Sequence, residues 1–251
     1  MLATLKAKLQ HRELLVGTFA KIPSMHTFEA LAYSDLDVVC IDGEHAPFDR
    51  QSVDMAITVL TRSGKPSIVR VPELSTTWTL SALDSGANAI MAPHICNIED
   101  AQRLVRMTTY CAGGRGFAGS TRAAEFGNKS IEEHLQASRE NVCRLAMIED
   151  REALENLDDI FSVREIDAFF VGRVDLTVAL GETDIHADAV QQAIDLILLK
   201  ATEHQVCLGM FSPSPEDAKQ LIQRGVSLLL MGSDSAFLTK GASALAEAVR
   251  A

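Results

Sequence analysis

Short, nearly uninterrupted apolar runs recur along the chain, each followed by a turn signal and then by residues whose apolar members return at three- and four-residue spacing. Eight such runs stand out: VGTF near 16, DVVCID near 37, SIVRV near 67, AIMAPHI near 89, CRLAMIE near 143, DAFFVG near 167, VCLGMF near 206 and SLLLMG near 227. Their continuity, in place of alternation, is the mark of strands covered on both faces in a parallel sheet. The stretches between them predict helices, most clearly over 52–63 and 188–204. Glycines at Ser63-Gly64, Ser85-Gly86 and Arg224-Gly225 fall where left-handed caps would end helices before the next strand.

Strand and helix therefore alternate through all 251 residues, with no Pro/Ser linker and no compositional break. That pattern predicts an α/β fold, a single (β/α)8 TIM barrel over 1–251. A doubly wound sheet is the alternative, but it calls for a Gly-rich turn after the first strand, and GTFAKIPS supplies none. The first segment, MLATLKAKLQHRELLVG, reads as an amphipathic N-terminal helix, because Lys6, Lys8, His11, Arg12 and Glu13 interrupt any secretory apolar stretch. One connection breaks the rhythm. From 110 to about 130 the chain is long and glycine-rich, and Arg115 and Arg122 mark it as a functional loop in preference to a mobile surface excursion.

Composition narrows the partners. Lys and Arg number 23 against 34 Asp and Glu, a formal charge of -11, so the averaged field repels phosphate backbones and anionic lipid. Neither nucleic acid nor membrane is expected as a partner, and no apolar run reaches the roughly 18 residues of a membrane span. The five cysteines are scattered without a CxxC pair, which suits a reducing cytoplasm and argues against a zinc knuckle or a disulfide framework.

Barrel enzymes carry reactive groups at the carboxyl ends of their strands. Those positions hold Asp42, Glu44 and His45 after the second strand, Arg70 after the third, His94 after the fourth, and Glu149 with Asp150 after the fifth. The sixth runs into Arg173, Val174 and Asp175. Glu149 and Asp175, read as closing neighbouring strands about 4.8 Å apart, can converge on one cation. Hard oxygen ligands favour Mg²⁺, Mn²⁺ or Co²⁺, and the alternative is that each acid pairs with an arginine or caps a helix. His45 can serve as general acid or base, with Asp42 and Asp84 placed to orient its ring. Arg70, a permanent cation at the end of a buried strand, needs an anion, either a carboxylate or a developing enolate.

Other positions say less. His94 reads equally as a substrate contact or a structural histidine. Phe211-Ser212-Pro213 and Ser233-Asp234 lack the basic side chain or Gly-x-Gly cluster of a phosphate cradle. Lys21 is the only strand-end lysine available for imine chemistry, and position 173 holds an arginine that cannot lose its proton, so metal-assisted chemistry is preferred.

Taken in order, Ile41-Asp42-Gly43-Glu44-His45, Val69-Arg70-Val71-Pro72, Leu83-Asp84-Ser85-Gly86, Gly114-Arg115-Gly116, Ile148-Glu149 and Gly172-Arg173-Val174-Asp175-Leu176 resemble the motifs of the HpcH/HpaI family of class II pyruvate aldolases across nearly the whole chain. The resemblance implies a divalent metal (Mg, Mn or Co) on Glu149 and Asp175, chelated by the carboxylate and keto oxygens of a 2-oxo acid. It implies that Arg70 shares the enolate charge and that His45, made more basic by Asp84, moves the proton of the 4-hydroxyl. The N–H groups of Val174 and Asp175 would hold the pyruvate carboxylate. Homo-oligomers, hexamers with exchanged terminal helices, are common in the family. Three positions depart from the pattern: Met147 stands where a substrate-contacting glutamine is usual, and Arg173 with Val174 replaces a Pro-Ala pair. These substitutions, with Arg115, make substrate contacts that would suit a more anionic partner. They favour as an alternative a siderophore-type citrate synthase or acyl-CoA lyase joining an enolate to oxaloacetate. A non-catalytic barrel that binds a small anion is the remaining possibility.

Overall fold

The computed structural model describes residues 4–250. Eight parallel strands close in chain order into a barrel: β1 (Leu15–Ala20), β2 (Val38–Asp42), β3 (Ser67–Arg70), β4 (Ala89–Ala92), β5 (Cys143–Ile148), β6 (Ala168–Val171), β7 (Leu208–Ser212) and β8 (Leu228–Ser233). All eight apolar runs are strands. Around them lie α1 (Leu5–Gln10), α2 (Met25–Ala32), α3 (Arg50–Arg62), α4 (Thr76–Ser85), α5 (Ile98–Thr108), α6 (Ile131–Asn141), α7 (Arg151–Glu155) and α8 (Leu157–Ser162). The remaining helices are α9 (Arg173–Ala179), α10 (Asp188–His204), α11 (Pro215–Gln223) and α12 (Asp234–Arg250).

The strands are apolar throughout because each residue meets one of two cores. Side chains facing out, such as Ile41, Val69 and Phe169, pack against the helix ring, while Cys40, Ile68, Met91, Leu145 and Phe170 fill the barrel interior. Leu5 and Leu9 of α1 join the interior set and plug the amino end, each contributing about 1.5–3 kcal/mol by burial. Lys6 secures that plug by donating to the carbonyls of Arg139 and Val142 at the end of α6, where a cation meets the helix dipole.

Helix ends follow local chemistry. Asp49 and Ser52 form a capping box on α3, Ser75 caps α4, and Gly86 closes α4 with a left-handed φ of 98°. Gly64 and Gly225 are also left-handed, at φ 71° and 95°. The long connection contains a 3-10 turn at Arg122–Gly127 and is pinned rather than loose. Arg122 pairs bidentately with Asp54, and the side chain of Arg115 is 1% exposed. No helix among the described residues is long and apolar enough to cross a membrane.

Candidate active site

Strand register builds one side of the carboxyl mouth. β1 pairs with β2 through Ala20 and Ile41, and β2 with β3 through Asp42 and Arg70, so Lys21, Asp42 and Arg70 stand at one level. Asp42 is wholly buried; its Oδ1 accepts from Arg70 Nε at 3.0 Å, Arg70 Nη2 at 2.8 Å and the His45 backbone N–H at 3.1 Å. Its Oδ2 has no hydrogen bond among the described residues, with Lys21 Nζ 3.2 Å away. Glu44 Oε2 lies 3.3 Å from Arg70 Nη1, and the Arg70 guanidinium sits 4.7 Å from the centre of the Phe19 ring. Burial pushes the Asp42 pKa up, yet Arg70, the His45 N–H and Lys21 outweigh it and hold the carboxyl below its usual value. Glu44 is raised by burial despite Arg70. Arg70 is raised because Asp42, Cys40 and Glu44 outweigh the cost of its burial.

The opposite side is built on β5 and β6. Glu149 follows β5, is 3% exposed, and accepts through Oε1 from the His94 N–H at 3.0 Å. His94 adopts φ 55°, a left-handed conformation uncommon for a side-chain-bearing residue, and its Nδ1 lies 3.0 Å from Asp150 Oδ2. Asp175 belongs to the first turn of α9 and not to the end of β6 as expected; the helix rather than the strand delivers it. Gly172 stands between the acids. A Cβ on it would lie 2.6 Å from Glu149 Oε2 and 3.4 Å from Asp175 Oδ2, so only a glycine lets the two carboxylates face each other here. Burial pushes Glu149 up to about 7; the His94 N–H and ring oppose this, and Asp175 and Glu44 reinforce it. Two convergent hard oxygen donors, one of them short of positive charge, fit a divalent cation.

Between the two sides opens a cavity of about 330 Å³ whose walls include Phe19, Lys21, Arg70, Met147, Asp175 and Lys240. Met147, 1% exposed, presents an apolar surface there, and Val174 is exposed at the rim. In α9 the first intrahelical bond is donated by Leu176 to Gly172, so the N–H groups of Val174 and Asp175 have no helical carbonyl to bind.

Four expectations need correction. Asp84 is near the end of α4, which runs back toward the amino end of the barrel, and it accepts from Arg115 at 2.7 Å; it does not reach His45 within the chain. Arg115 is therefore also remote from the mouth. Asp42 meets the His45 backbone and not its ring, which is 3.8 Å from Glu44 and about half exposed. Arg173 lines the cleft but is 9% exposed and committed to Asp217, at 3.0 and 2.7 Å, and to the Phe211 carbonyl at 2.6 Å. It ties α9 to α11 and offers no free charge to an anion.

Sequence reasoning placed Glu44 at the mouth without giving it a role, and passed over Lys240 and the holding role of His94. The pairing of Glu44 with Arg70 depends on the loop after β2, which the motif order does not express. The position of Lys240 depends on how α12 folds over the mouth, for which no local signal exists.

A closed parallel barrel with acids, an arginine and a histidine gathered at the carboxyl mouth defines a TIM-barrel enzyme. Residues 15–240 match the family model described as HpcH/HpaI aldolase/citrate lyase, and the chain belongs to that lyase family. It is 30% identical over 255 residues to a hydroxypyruvate/pyruvate aldolase of Paraburkholderia phytofirmans, covering 98% of this chain and 97% of the relative. It is 32% identical over 232 residues to a 5-keto-4-deoxy-D-glucarate aldolase of Salmonella paratyphi C, covering 91% and 90%. Among solved structures, a HpcH/HpaI aldolase/citrate lyase family protein from Burkholderia cenocepacia superposes with a TM-score of 0.93 at 31% identity, covering 98% of this chain and 99% of the other.

Proposed function

We propose that the protein is a divalent-metal-dependent aldolase that cleaves and forms 4-hydroxy-2-oxo acids, with pyruvate or a close relative as the enolisable half. The observation that carries this reading is the pair Glu149 and Asp175, brought together at Gly172, with the buried Glu149 short of positive charge. These two side chains would hold Mg²⁺, Mn²⁺ or Co²⁺. When bound, the ion supplies Lewis-acid stabilisation of the charge that grows on the keto oxygen of the substrate.

The chain's own residues do the rest. The unpaired N–H groups of Val174 and Asp175 receive the substrate carboxylate. In cleavage, His45 takes the proton of the 4-hydroxyl. The C3–C4 bond breaks, its electrons pass to the pyruvate fragment as an enolate, and the aldehyde leaves; return of a proton to C3 gives pyruvate. Arg70, fixed by Asp42 and Glu44, sets a permanent positive charge beside the developing oxyanion without having to move. Met147 and Phe19 keep the adjoining wall apolar.

The names of the relatives support the aldolase over the citrate synthase, the acyl-CoA lyase and the non-catalytic barrel. The argument from Arg173 for an oxaloacetate partner also falls away, because Asp217 already neutralises that cation. A homo-oligomer, a hexamer by family resemblance, is proposed on α12, which leaves Leu238, Leu245 and Val249 65%, 74% and 87% exposed. A cytoplasmic setting rests on the five unpaired cysteines.

The deciding experiment follows the exchange of the pyruvate C3 protons in D₂O by NMR, with Mg²⁺, Mn²⁺, Co²⁺ or chelator, and then adds a panel of aldehydes. Metal-stimulated exchange and 4-hydroxy-2-oxo acid products are expected. Free thiol from acetyl-CoA plus oxaloacetate, without exchange, would replace this reading by the synthase.

A further inference from the structure

We propose that a second site, on the outside of the barrel beneath the long connection, binds a small oxyanion of the phosphate or carboxylate class through Arg115, His134 and Lys129. The site is a half-open cavity of about 130 Å³ between the end of α4, the segment leading into β4, and α6, with Asn88, Ser138 and Asn141 also in its wall. It shares no lining residue with the mouth.

Buried side-chain polar atoms without partners are few among the described residues, and two of them, Arg115 Nε and His134 Nδ1, belong to residues that line this wall. Their side chains are held from every other direction. Arg115 gives Nη2 to Asp84 at 2.7 Å and lies with its guanidinium 4.3 Å from the centre of the Tyr110 ring, which covers its face and leaves the in-plane N–H groups available. His134, 2% exposed, has Nε2 2.9 Å from the Tyr110 hydroxyl and its ring wedged between Tyr110 and Phe117 at 5.3 and 5.5 Å. In the tautomer in which that hydroxyl donates, Nδ1 carries the proton and is a second donor. Lys129 adds a cation at 27% exposure, 3.2 Å from Glu125 and donating to the Ala123 carbonyl at 3.4 Å.

Arg115 thus spends part of its hydrogen-bonding capacity on Asp84 and keeps Nε, while Lys129 divides its ammonium between Glu125 and the Ala123 carbonyl and keeps one N–H. Buried donors are ordinarily satisfied, and two orphans in one cavity call for an occupant that accepts. The cavity has room for several waters, since one needs about 10–15 Å³. A wall of rigid donors around two cations suits an oxyanion better, because charge-assisted N–H···O bonds to it are the stronger kind. The occupant would bridge the start of the long connection at Arg115, its end at Lys129, and the first turn of α6 at His134, fastening the loop.

The test uses the full chain at constant ionic strength, with inorganic phosphate and acetate as separate probes and chloride as control, read by calorimetric titration and thermal unfolding. Saturable binding is expected for at least one probe, and which one assigns a tetrahedral or a planar occupant. At about 100 times the dissociation constant, the unfolding midpoint should rise by about 5–11 °C. Lys129→Met, at the rim, and His134→Phe, which keeps the ring stack, should each weaken binding about tenfold or more, whereas Arg70→Met at the mouth should leave it unchanged. A crystal soaked in selenate should show anomalous density between Arg115 Nε and His134 Nδ1. The proposal falls if neither probe shifts the midpoint beyond chloride, if Arg70→Met abolishes the response while Lys129→Met does not, or if only waters occupy the cavity.

Discussion

The two sides of the barrel mouth use the same residue types to opposite electrostatic effect. On the β1–β3 side Asp42 and Glu44 are matched by Arg70 and Lys21, and Asp42 is held below its usual pKa. On the β4–β6 side Glu149 and Asp150 share one titratable base, His94, and Glu149, with Asp175 nearby, is driven up to about 7. Desolvation acts on both sides, so the difference is one of partners. A buried acid with a built-in counter-ion is a positioning device, and a buried acid left without one is a place for a cation from solution.

Removing the deficient side should abolish chemistry and spare the fold. Glu149→Ala and Asp175→Ala are each expected to lower metal-stimulated turnover by on the order of 10³-fold, as for loss of a main electrostatic stabiliser, with an unchanged circular dichroism spectrum. Calorimetry should show divalent-ion binding lost in parallel. Full turnover of either variant in chelator would end the assignment of these acids to a metal.

Stability should respond in opposite directions on the two sides. Arg70→Met leaves the buried Asp42 without its hydrogen-bonded cation and with only the part-exposed Lys21 facing it, and breaking a buried pair in this way typically costs about 3–5 kcal/mol. Glu149→Gln removes a buried charge that faces the titratable His94 ring in place of a permanent cation, so the metal-free unfolding midpoint should rise, by about 2–4 °C for each kcal/mol recovered. Two denaturation curves recorded in chelator decide this. If both variants are destabilised alike, the contrast between the sides is not one of charge balance.

How far the site could be read in advance follows from the same geometry. Strands buried on both faces must be apolar along their length, so the eight runs were visible, and the residues that end them had to include those at the mouth. Asp42, Arg70 and Glu149 were found in this way. What linear order does not carry is pairing across elements. The meeting of Lys21 with Asp42 follows from a β1–β2 register that no single segment encodes, and the capture of Arg173 by Asp217 depends on where α11 lies. Asp84 was misplaced for a related reason: its spacing from the third strand puts it near the return end of α4, a distance that motif order alone does not express.

Gly172 tests the deficient side more gently. The Cβ of an alanine there would approach Glu149 Oε2 to 2.6 Å and Glu149 Cβ to 2.9 Å, so the carboxylate must turn aside. Gly172→Ala should leave the barrel intact and weaken divalent-ion affinity by about 10–100-fold, the range found when groups that orient metal ligands are altered. An unchanged affinity would mean that Glu149 has freedom to spare and that the glycine serves the backbone alone.

The smallest effect is expected on the balanced side, from Lys21→Met. Its ammonium is 3.2 Å from Asp42 Oδ2, but its side chain is 36% exposed, and solvent screens such a pair to less than about 1 kcal/mol. Asp42 keeps both of its Arg70 bonds and the His45 N–H, so its carboxylate should stay ionised and in place. The variant should therefore unfold within about 2–4 °C of the parent, the shift that 1 kcal/mol produces in a chain of this size. A loss as large as that of Arg70→Met would show that the orphaned Oδ2 is held by Lys21 rather than merely faced by it, and that the balance on this side is carried by two cations acting as one.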